Sequence, residues 1–144
     1  EYLRMEKLDI ALDFNIKTDF YVKEHFYLTS VLKNLINNSI EAMESRKKGR
    51  LTLNVFEQGE NYVFMLTDNG VGIKESNLSF IFNPGFSSKF DKDTGNICRG
   101  IGLTLVRDLV HKTFGGTVTV ESAENKWTTF TIKMPKQAFG RDES

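Results

Sequence analysis

The feature that most constrains the fold is a long run without glycine or proline, from Glu24 to Lys47. Its apolar residues recur every three or four positions, which is the spacing of one buried face of an α-helix. The run stops at Lys-Lys-Gly, where cations suit the C-terminal end of a helix and glycine ends it. The sequence therefore predicts one long amphipathic helix in this region.

Alternating apolar and polar residues predict strands on both sides of this helix. The predicted strands cover residues 8–16, 51–56, 62–67, 117–121 and 127–134. A second helix is predicted over 100–114, and the loop-rich region 68–100 holds at most a short helix near 74–81. Strands joined by short turns pair antiparallel. We therefore expect an α/β two-layer sandwich with a mixed, mostly antiparallel sheet and both helices on one face.

Composition places the chain among ordinary globular domains and excludes several functions. Its 144 residues suffice for one domain with a buried core. Lysine plus arginine equals aspartate plus glutamate at 19 each, so the chain lacks the basic surface that drives nucleic-acid binding. The single cysteine, Cys98, excludes an internal disulfide. We expect one domain over 1–136 and a flexible tail over 137–144.

The sequence also indicates a cytoplasmic domain that belongs to a longer protein. It begins with Glu1 rather than Met, and it has no signal-peptide pattern. None of its stretches is long and apolar enough to span a bilayer. A single cysteine fits a reducing compartment. A membrane anchor in the parent protein, upstream of this chain, stays open.

The first chemical cluster is Asn34-Leu-Ile-Asn-Asn38, inside the long predicted helix. Asparagine is a poor residue for a helix interior because its side chain competes for backbone hydrogen bonds. Asn34 and Asn38 are four residues apart, so both amides lie on one helical face. Their oxygens suit Mg²⁺, which prefers hard oxygen ligands. A solvated polar face is the alternative, and the cluster taken alone favours it.

The second cluster is Asp68-Asn-Gly70-Val-Gly72-Ile73, directly after a predicted strand. It combines a carboxylate acceptor with glycine backbone that a flat ring can approach closely. Adenine presents one exocyclic amino group, which a single aspartate can recognise. A simple turn is the alternative, because Asp-Asn-Gly is strong turn sequence in any context.

Two further clusters lie between this turn and the second helix. Residues 82–89, Phe-Asn-Pro-Gly-Phe-Ser-Ser-Lys, combine two aromatic rings with a cation that could reach a phosphate. Rings packed into the core are an equally good interpretation. Residues 99–103, Arg-Gly-Ile-Gly-Leu, open the second helix, where free N–H groups at the positive helix end suit phosphate oxygens. The pattern is neither a Walker loop nor a Rossmann fingerprint.

In this order and spacing, the four clusters resemble the N box, first glycine box, F box and second glycine box of the GHKL superfamily of ATPases and kinases. The last predicted strand, Thr-Thr-Phe-Thr-Ile-Lys-Met-Pro135, is similar to the closing Gly-Thr-x-Phe-x-Ile-x-Leu-Pro of that family, with Trp127 in place of its glycine. The resemblance covers nearly the whole chain. It implies the Bergerat fold, which holds Mg-ATP between the N-box helix and a flexible lid.

Transferred position by position, the resemblance implies a role for each matching residue. Asn38 would ligate Mg²⁺, Asn34 would lie beside the phosphates, and both would act in catalysis together with Lys89. Asp68 would accept a hydrogen bond from the adenine amino group, and Lys89 and Arg99 would neutralise phosphate charge. The other residues expected to bind ATP are Gly70, Gly72, Ile73, Gly100, Ile101, Gly102, Leu103 and Thr128.

Departures from the family pattern narrow the expected activity. Hydrolysing relatives such as gyrase and MutL carry a glutamate base where this chain has Asn34, whose amide cannot take a proton from water. Many histidine kinases place Lys or Arg three residues after the Mg²⁺ ligand, where this chain has Glu41. Together with the sequences of the F box and second glycine box, this is more similar to the branch of citrate and dicarboxylate sensors. The lid would span residues 87–99 and gain order when nucleotide binds.

The resemblance therefore implies the ATP-binding catalytic domain of a two-component sensor histidine kinase. Neither His25 nor His111 has the context of a phosphoacceptor, so the acceptor histidine would lie on an upstream dimerisation domain. The whole protein would be a homodimer that passes the phosphoryl group to a response regulator. Phosphoryl transfer needs mostly positioning and charge neutralisation. Two alternatives stay open: a serine kinase of the same superfamily that inhibits a sigma factor, and a non-catalytic nucleotide-binding docking module.

Overall fold

The structure, a computed structural model, describes residues 9–83 and 100–139, in the second range with side chains from Leu103 onward. In chain order the strands and helices are β1 (Ile10–Ile16), α1 (His25–Ala42), β2 (Gly49–Gln58), β3 (Asn61–Asp68), α2 (Gly100–Phe114), β4 (Thr117–Ala123) and β5 (Trp127–Pro135). Each matches an element predicted from the sequence. The short helix predicted near 74–81 is reduced to a 3-10 turn at Glu75–Asn77.

The five strands form one mixed sheet in the order β1-β2-β3-β5-β4. Only β1 and β2 are parallel, and α1 makes the crossover between them; the other three pairs are antiparallel. Both helices pack on one face of the sheet, so the predicted two-layer architecture is confirmed. In the described ranges, no helix combines the length and apolarity needed to cross a bilayer.

The core lies between the helices and the inner face of the sheet. Helix α1 contributes Leu28, Val31 and Leu35, which are spaced by three and four residues as the sequence pattern predicted. In the ladder, Leu51 of β2 stands opposite Asp68 at the end of β3. Directly paired residues point to the same face of a sheet. The register therefore turns the Asp68 side chain towards the helix layer.

Helix α1 ends at Ala42, five residues before the predicted end at Lys47. The reason is a contact distant in sequence: the Val71 N–H donates to the Ala42 carbonyl at 2.9 Å. The Arg46 N–H, which would bond that carbonyl in a continued helix, donates instead to the Met43 carbonyl at 2.9 Å. Apolar spacing within the helix carries no information about such a partner.

The predicted tail is corrected at residues 137–139. A 3-10 turn spans Lys136–Phe139, and Phe139 is fully buried in the core, with its ring edge-on to Phe20 at a centroid distance of 5.3 Å. The Lys136 ammonium donates to the Glu57 carboxylate, which holds the pKa of that carboxyl below its usual range. Burial of an aromatic ring outweighs the polar composition of the segment. Residues 140–144 lie outside the described residues.

Candidate functional site

Asp68 ends β3 with its side chain buried, at 1% exposure, on the face that carries the helices. Its Oδ1 accepts a hydrogen bond from the Gly70 N–H at 2.8 Å, which fixes the carboxylate at the start of the loop. A carboxylate has two oxygens and about four acceptor positions. Asp68 is therefore suited to accept a hydrogen bond from a ligand donor on this side of the sheet.

The loop after Asp68 is pressed between two other parts of the chain, and glycine permits this at two positions. A Cβ added to Gly70 would lie 2.5 Å from the Ala42 carbonyl oxygen, at the end of α1. Gly72 has a φ of +72°, and a Cβ there would collide with the Ala123 carbonyl at the end of β4. The loop backbone thus lies against α1 on one side and the β4–β5 hairpin on the other.

Thr128 and Ile73, both predicted to bind ATP, are joined by Ser122, a residue the sequence analysis missed. Thr128 is 3% exposed and stands opposite Asp68 in the ladder between β3 and β5. The Ser122 Oγ accepts from the Ile73 N–H at 2.8 Å and lies 2.9 Å from the Thr128 Oγ1. The link between Ser122 and Thr128 depends on the register of β4 against β5, which pairs the two residues and which the sequence alone did not predict.

The two predicted asparagines lie half-buried on α1, the helix whose last residue contacts the same loop. The Asn34 Nδ2 donates to the Ser30 carbonyl at 2.8 Å, which turns its Oδ1 away from that carbonyl. Asn38 lies about one turn before Ala42, the residue that Gly70 and Val71 contact. The fold thus brings the end of the helix that carries the N box to the loop that begins at Asp68.

The side-chain oxygens that the asparagines of α1 offer suit Mg²⁺ rather than a transition metal. Asn38 offers a hard amide oxygen, and Mg²⁺ is typically held by one or two protein ligands while phosphates and waters supply the rest. Across 9–83 and 103–139, no group of three or more His, Cys, Asp or Glu side chains could hold a metal ion. A multi-ligand zinc-type site is therefore not present in that part of the chain.

Helix α2 begins at Gly100 as predicted, so Gly100, Ile101 and Gly102 form its first turn. Lys89, Arg99 and the predicted lid over 87–99 lie outside the described residues.

Two of the predicted residues near α2 contribute to packing. Leu103 is buried in the core. Phe82 packs edge-on against Phe130, with ring centroids 6.3 Å apart, and its carbonyl accepts from the Thr104 hydroxyl at 3.0 Å. Core packing is thus the correct interpretation for Phe82. Phe86 lies outside the described residues.

Both histidines, which the sequence analysis did not favour as phosphoacceptors, are exposed. His25 is the first residue of α1, and His111 lines a cavity of about 270 Å³ with Arg107 and Asp108 near the C-terminal end of α2. A cavity of about 340 Å³ lies instead against the glycine loop, where Gly72 and Ile73 form part of its wall. Of these two cavities, the second adjoins residues that the sequence singled out.

Arg46, which the sequence analysis also missed, ties three segments together. Its Nε donates to the Asn69 carbonyl at 2.9 Å, and its Nη2 donates to the carbonyls of Gly70 at 2.8 Å and Asn125 at 2.6 Å. Asn125 occupies the β4–β5 turn with a φ of 66°. The guanidinium is a rigid fork of five donors, which suits such a cluster of carbonyls. Arg46 therefore holds the glycine loop between α1 and the hairpin.

We expect Arg46→Gln to lower the free energy of unfolding by roughly 1–3 kcal/mol, because carbonyls grouped around a charged donor lose their partner. The matched control is Arg50→Gln. The Arg50 guanidinium pairs with Asp13, but the two side chains are 62% and 46% exposed, so its removal should cost about 0–1 kcal/mol. Urea denaturation of both variants measures the difference. Equal losses would show that Arg46 does not hold the loop.

Comparison with the sequences of known proteins shows which family this chain resembles. Residues 25–138 match the family model described as histidine kinase-, DNA gyrase B-, and HSP90-like ATPase. The sensor histidine kinase GlnK of Bacillus subtilis is 34% identical over 126 residues, which cover 81% of this chain and 30% of that protein. The "Probable C4-dicarboxylate sensor kinase" of Halalkalibacterium halodurans is 37% identical over 112 residues, covering 76% of this chain and 20% of that protein. The chain thus spans less than a third of these relatives.

Comparison of structures shows the same fold. The catalytic domain of histidine kinase ThkA, in a nucleotide-free form, superposes with a TM-score of 0.75 at 24% identity. The match covers 94% of this chain and 84% of the ThkA chain, so nearly every described element has a counterpart. The Bergerat fold that the sequence resemblance implied is confirmed.

Proposed function

Because the chain belongs to the family of histidine kinase-, DNA gyrase B- and HSP90-like ATPases, we propose that it is the ATP-binding catalytic domain of a two-component sensor histidine kinase. The observation that carries the proposal is the wall formed by Asp68, Gly70 and Thr128. There a buried carboxylate stands beside a buried hydroxyl, and a glycine loop pressed against α1 leads away from it. The likeness to GlnK, a sensor histidine kinase, supports the kinase activity.

In this proposal Asp68 accepts a hydrogen bond from the adenine amino group. The base lies against a wall made by Gly70, Gly72, Ile73 and Thr128. Asn38 would ligate Mg²⁺, and Asn34 lies beside the phosphates. Lys89 and Arg99 neutralise phosphate charge. The start of α2 also binds the phosphates, through Gly100, Ile101, Gly102 and Leu103. When bound, Mg²⁺ would neutralise phosphate charge as the γ-phosphoryl group leaves.

Asn34 favours a kinase over an ATPase. An amide has no basic atom at neutral pH, so Asn34 cannot remove a proton from an attacking water. Its Nδ2 is also bound to the backbone of its own helix at Ser30. Water near the γ-phosphate is therefore left unactivated by this residue. The phosphoryl group is kept for a stronger nucleophile, which we propose is a histidine on another domain.

The proposal includes partners that the chain itself does not contain. These are a dimerisation domain of the same protein with the acceptor histidine, a second copy in a homodimer, and a downstream response regulator. The greater length of the relatives supports additional domains, since the aligned part is 30% of GlnK. We place the domain in the cytoplasm, where ATP is available, and a membrane anchor elsewhere in the parent protein is compatible with this.

We expect the domain to bind a non-hydrolysable ATP analogue in an Mg²⁺-dependent manner and to release phosphate from ATP slowly or not at all. Calorimetry with Mg²⁺ and with excess chelator tests the first half, and a phosphate-release assay tests the second. Absence of nucleotide binding would overturn the proposed function. Rapid hydrolysis by the isolated domain would overturn only the argument from Asn34.

Phosphotransfer separates this proposal from its alternatives. The domain is mixed with the dimerisation domain of its parent protein and with ATP labelled at the γ-phosphate. We expect acid-labile label, as on phosphohistidine. Acid-stable label on a serine of a partner would favour the sigma-factor inhibitor, and tight ATP binding without any transfer would favour the docking module.

A further inference from the structure

Ser122 links the backbone of the glycine loop to the hydroxyl of Thr128. Its Oγ is within hydrogen-bond distance of three groups: the Ile73 N–H at 2.8 Å, the Trp127 carbonyl at 2.8 Å and the Thr128 Oγ1 at 2.9 Å. The residue is half-buried in β4. It lies beside Thr128 on the same face of the sheet, with no assigned contact of its own to the nucleotide.

The chemistry of these partners fixes the direction of every hydrogen bond. A serine hydroxyl has one proton to donate and two positions at which to accept. The Trp127 carbonyl can only accept, so the Ser122 proton goes there, and the Ile73 N–H can only donate, so it occupies one acceptor position. The position that remains can only accept, which requires the Thr128 hydroxyl to donate its proton to Ser122.

Thr128 therefore presents lone pairs, and no proton, to any ligand. Its cross-strand partner is Asp68, whose carboxylate is also an acceptor, and both side chains are buried on the helix-facing side. The two groups stand side by side at the end of the sheet. A base that contacts these two side chains meets hydrogen-bond acceptors only.

We propose that Ser122 is a positioning residue that makes this wall accept-only and thereby selects 6-amino over 6-oxo purines. This inference rests on the proposed function, because it assumes that the base binds at Asp68 and that the group at its position 6, rather than the neighbouring N1, faces both Asp68 and Thr128. The adenine amino group brings donors to the wall. Hypoxanthine carries a carbonyl oxygen at the same position, and its lone pairs would face those of Asp68 and Thr128. A site with buried polar groups discriminates strongly against a ligand that leaves them unpaired.

Removal of Ser122 should relax this selection by a simple route. In Ser122→Ala the Thr128 hydroxyl loses its acceptor, so its proton is released and can turn towards a ligand carbonyl. The variant should bind ADP somewhat more weakly and inosine diphosphate relatively better. Ser122→Thr retains a hydroxyl at the same place and should keep the selectivity of the original chain.

The test compares dissociation constants for ADP and inosine diphosphate, measured by calorimetry with Mg²⁺. We expect the original chain to prefer ADP and the ratio to fall by roughly 2- to 10-fold in Ser122→Ala, the effect of about one hydrogen bond. A variant that is only less well folded would weaken the apparent binding of ADP and of inosine diphosphate by the same factor. A change in the ratio of the two dissociation constants therefore excludes a merely structural role for Ser122. Thr129→Ala is the control. It removes the hydrogen bond between the Thr129 and Thr67 hydroxyls, whose oxygens are 2.8 Å apart. Because side chains alternate along β5, that hydrogen bond lies on the opposite face of the sheet from Thr128.

The possible results separate this inference from the proposed function. An unchanged ratio in folded Ser122→Ala overturns the role of Ser122, while the original chain still binds ADP. Equal falls in Ser122→Ala and Thr129→Ala would also overturn it. If Ser122→Ala does not fold, Ser122→Cys replaces it: a thiol is a weak acceptor, so the ratio should again fall, and an unchanged ratio again contradicts the inference. Loss of ADP binding by the original chain would instead contradict the proposed function.

Discussion

Replacement of Asp68 by Asn is expected to weaken the binding of adenine nucleotides by roughly one to two decades. The Gly70 N–H holds Oδ1 of this side chain at 2.8 Å, and an asparagine in the same place would keep its oxygen there. Its amide nitrogen would then occupy the position of the second carboxylate oxygen and point a donor at the donor of the adenine amino group. A hydrogen bond to a charged group contributes about 1.5–3 kcal/mol, which corresponds to that loss of affinity.

Calorimetry with ADP and with a non-hydrolysable ATP analogue measures the effect of Asp68→Asn. Asp13→Asn is the matched control, because Asp13 is a carboxylate on β1 whose partner is the solvent-exposed Arg50. That change should leave nucleotide affinity unaltered. If Asp68→Asn binds as tightly as the original chain, the base is recognised elsewhere and the wall around Thr128 loses its assigned role.

The fold could be predicted largely from the sequence because its signals are local. Spacing by three and four residues in α1 predicted one buried face of the helix, and Leu28, Val31 and Leu35 on that face are buried. The glycines after β3 were recognised from their positions in the motif that follows the strand. The structure supplies the reason for them in the backbone that lies beside Gly70 and Gly72. Local propensity and tertiary packing agree at these positions, which is why the prediction succeeds.

The residues that sequence reasoning missed depend on partners far along the chain. Arg46 acts on carbonyls up to 79 residues away, Ser122 acquires its role from the register of β4 on β5, and Phe139 is buried by rings from other elements. A single arginine, serine or phenylalanine carries no such information in its neighbours. The parts assigned to Lys89 and Arg99 stay predictions from the family resemblance.

Replacement of Gly70 by Ala is expected to impair stability and binding together. Gly70 needs no unusual φ, so a larger residue is excluded there by lack of space. The new Cβ would lie 2.5 Å from the Ala42 carbonyl oxygen and 2.7 Å from the Ala42 carbonyl carbon. These are backbone atoms at the end of a helix and cannot move aside cheaply. The loop must shift instead, which breaks the bond from Val71 to Ala42 and displaces the N–H that holds Asp68. We expect a loss of about 1–3 kcal/mol in unfolding free energy, as for other overpacked sites.

Gly59→Ala separates the loss of space from the general effect of changing a glycine. Gly59 lies in the β2–β3 turn with a φ of +60°, and nothing lies within 4 Å of its added Cβ. The change should cost about 1–2 kcal/mol through backbone strain and leave ADP affinity unaltered. Gly70→Ala should cost a similar amount of stability and, in addition, weaken ADP binding at least tenfold, because the partner of Asp68 is displaced. Equal affinities in the two variants, measured well below their unfolding temperatures, would show that the loop yields without moving Asp68. The close contact with α1 would then serve folding alone.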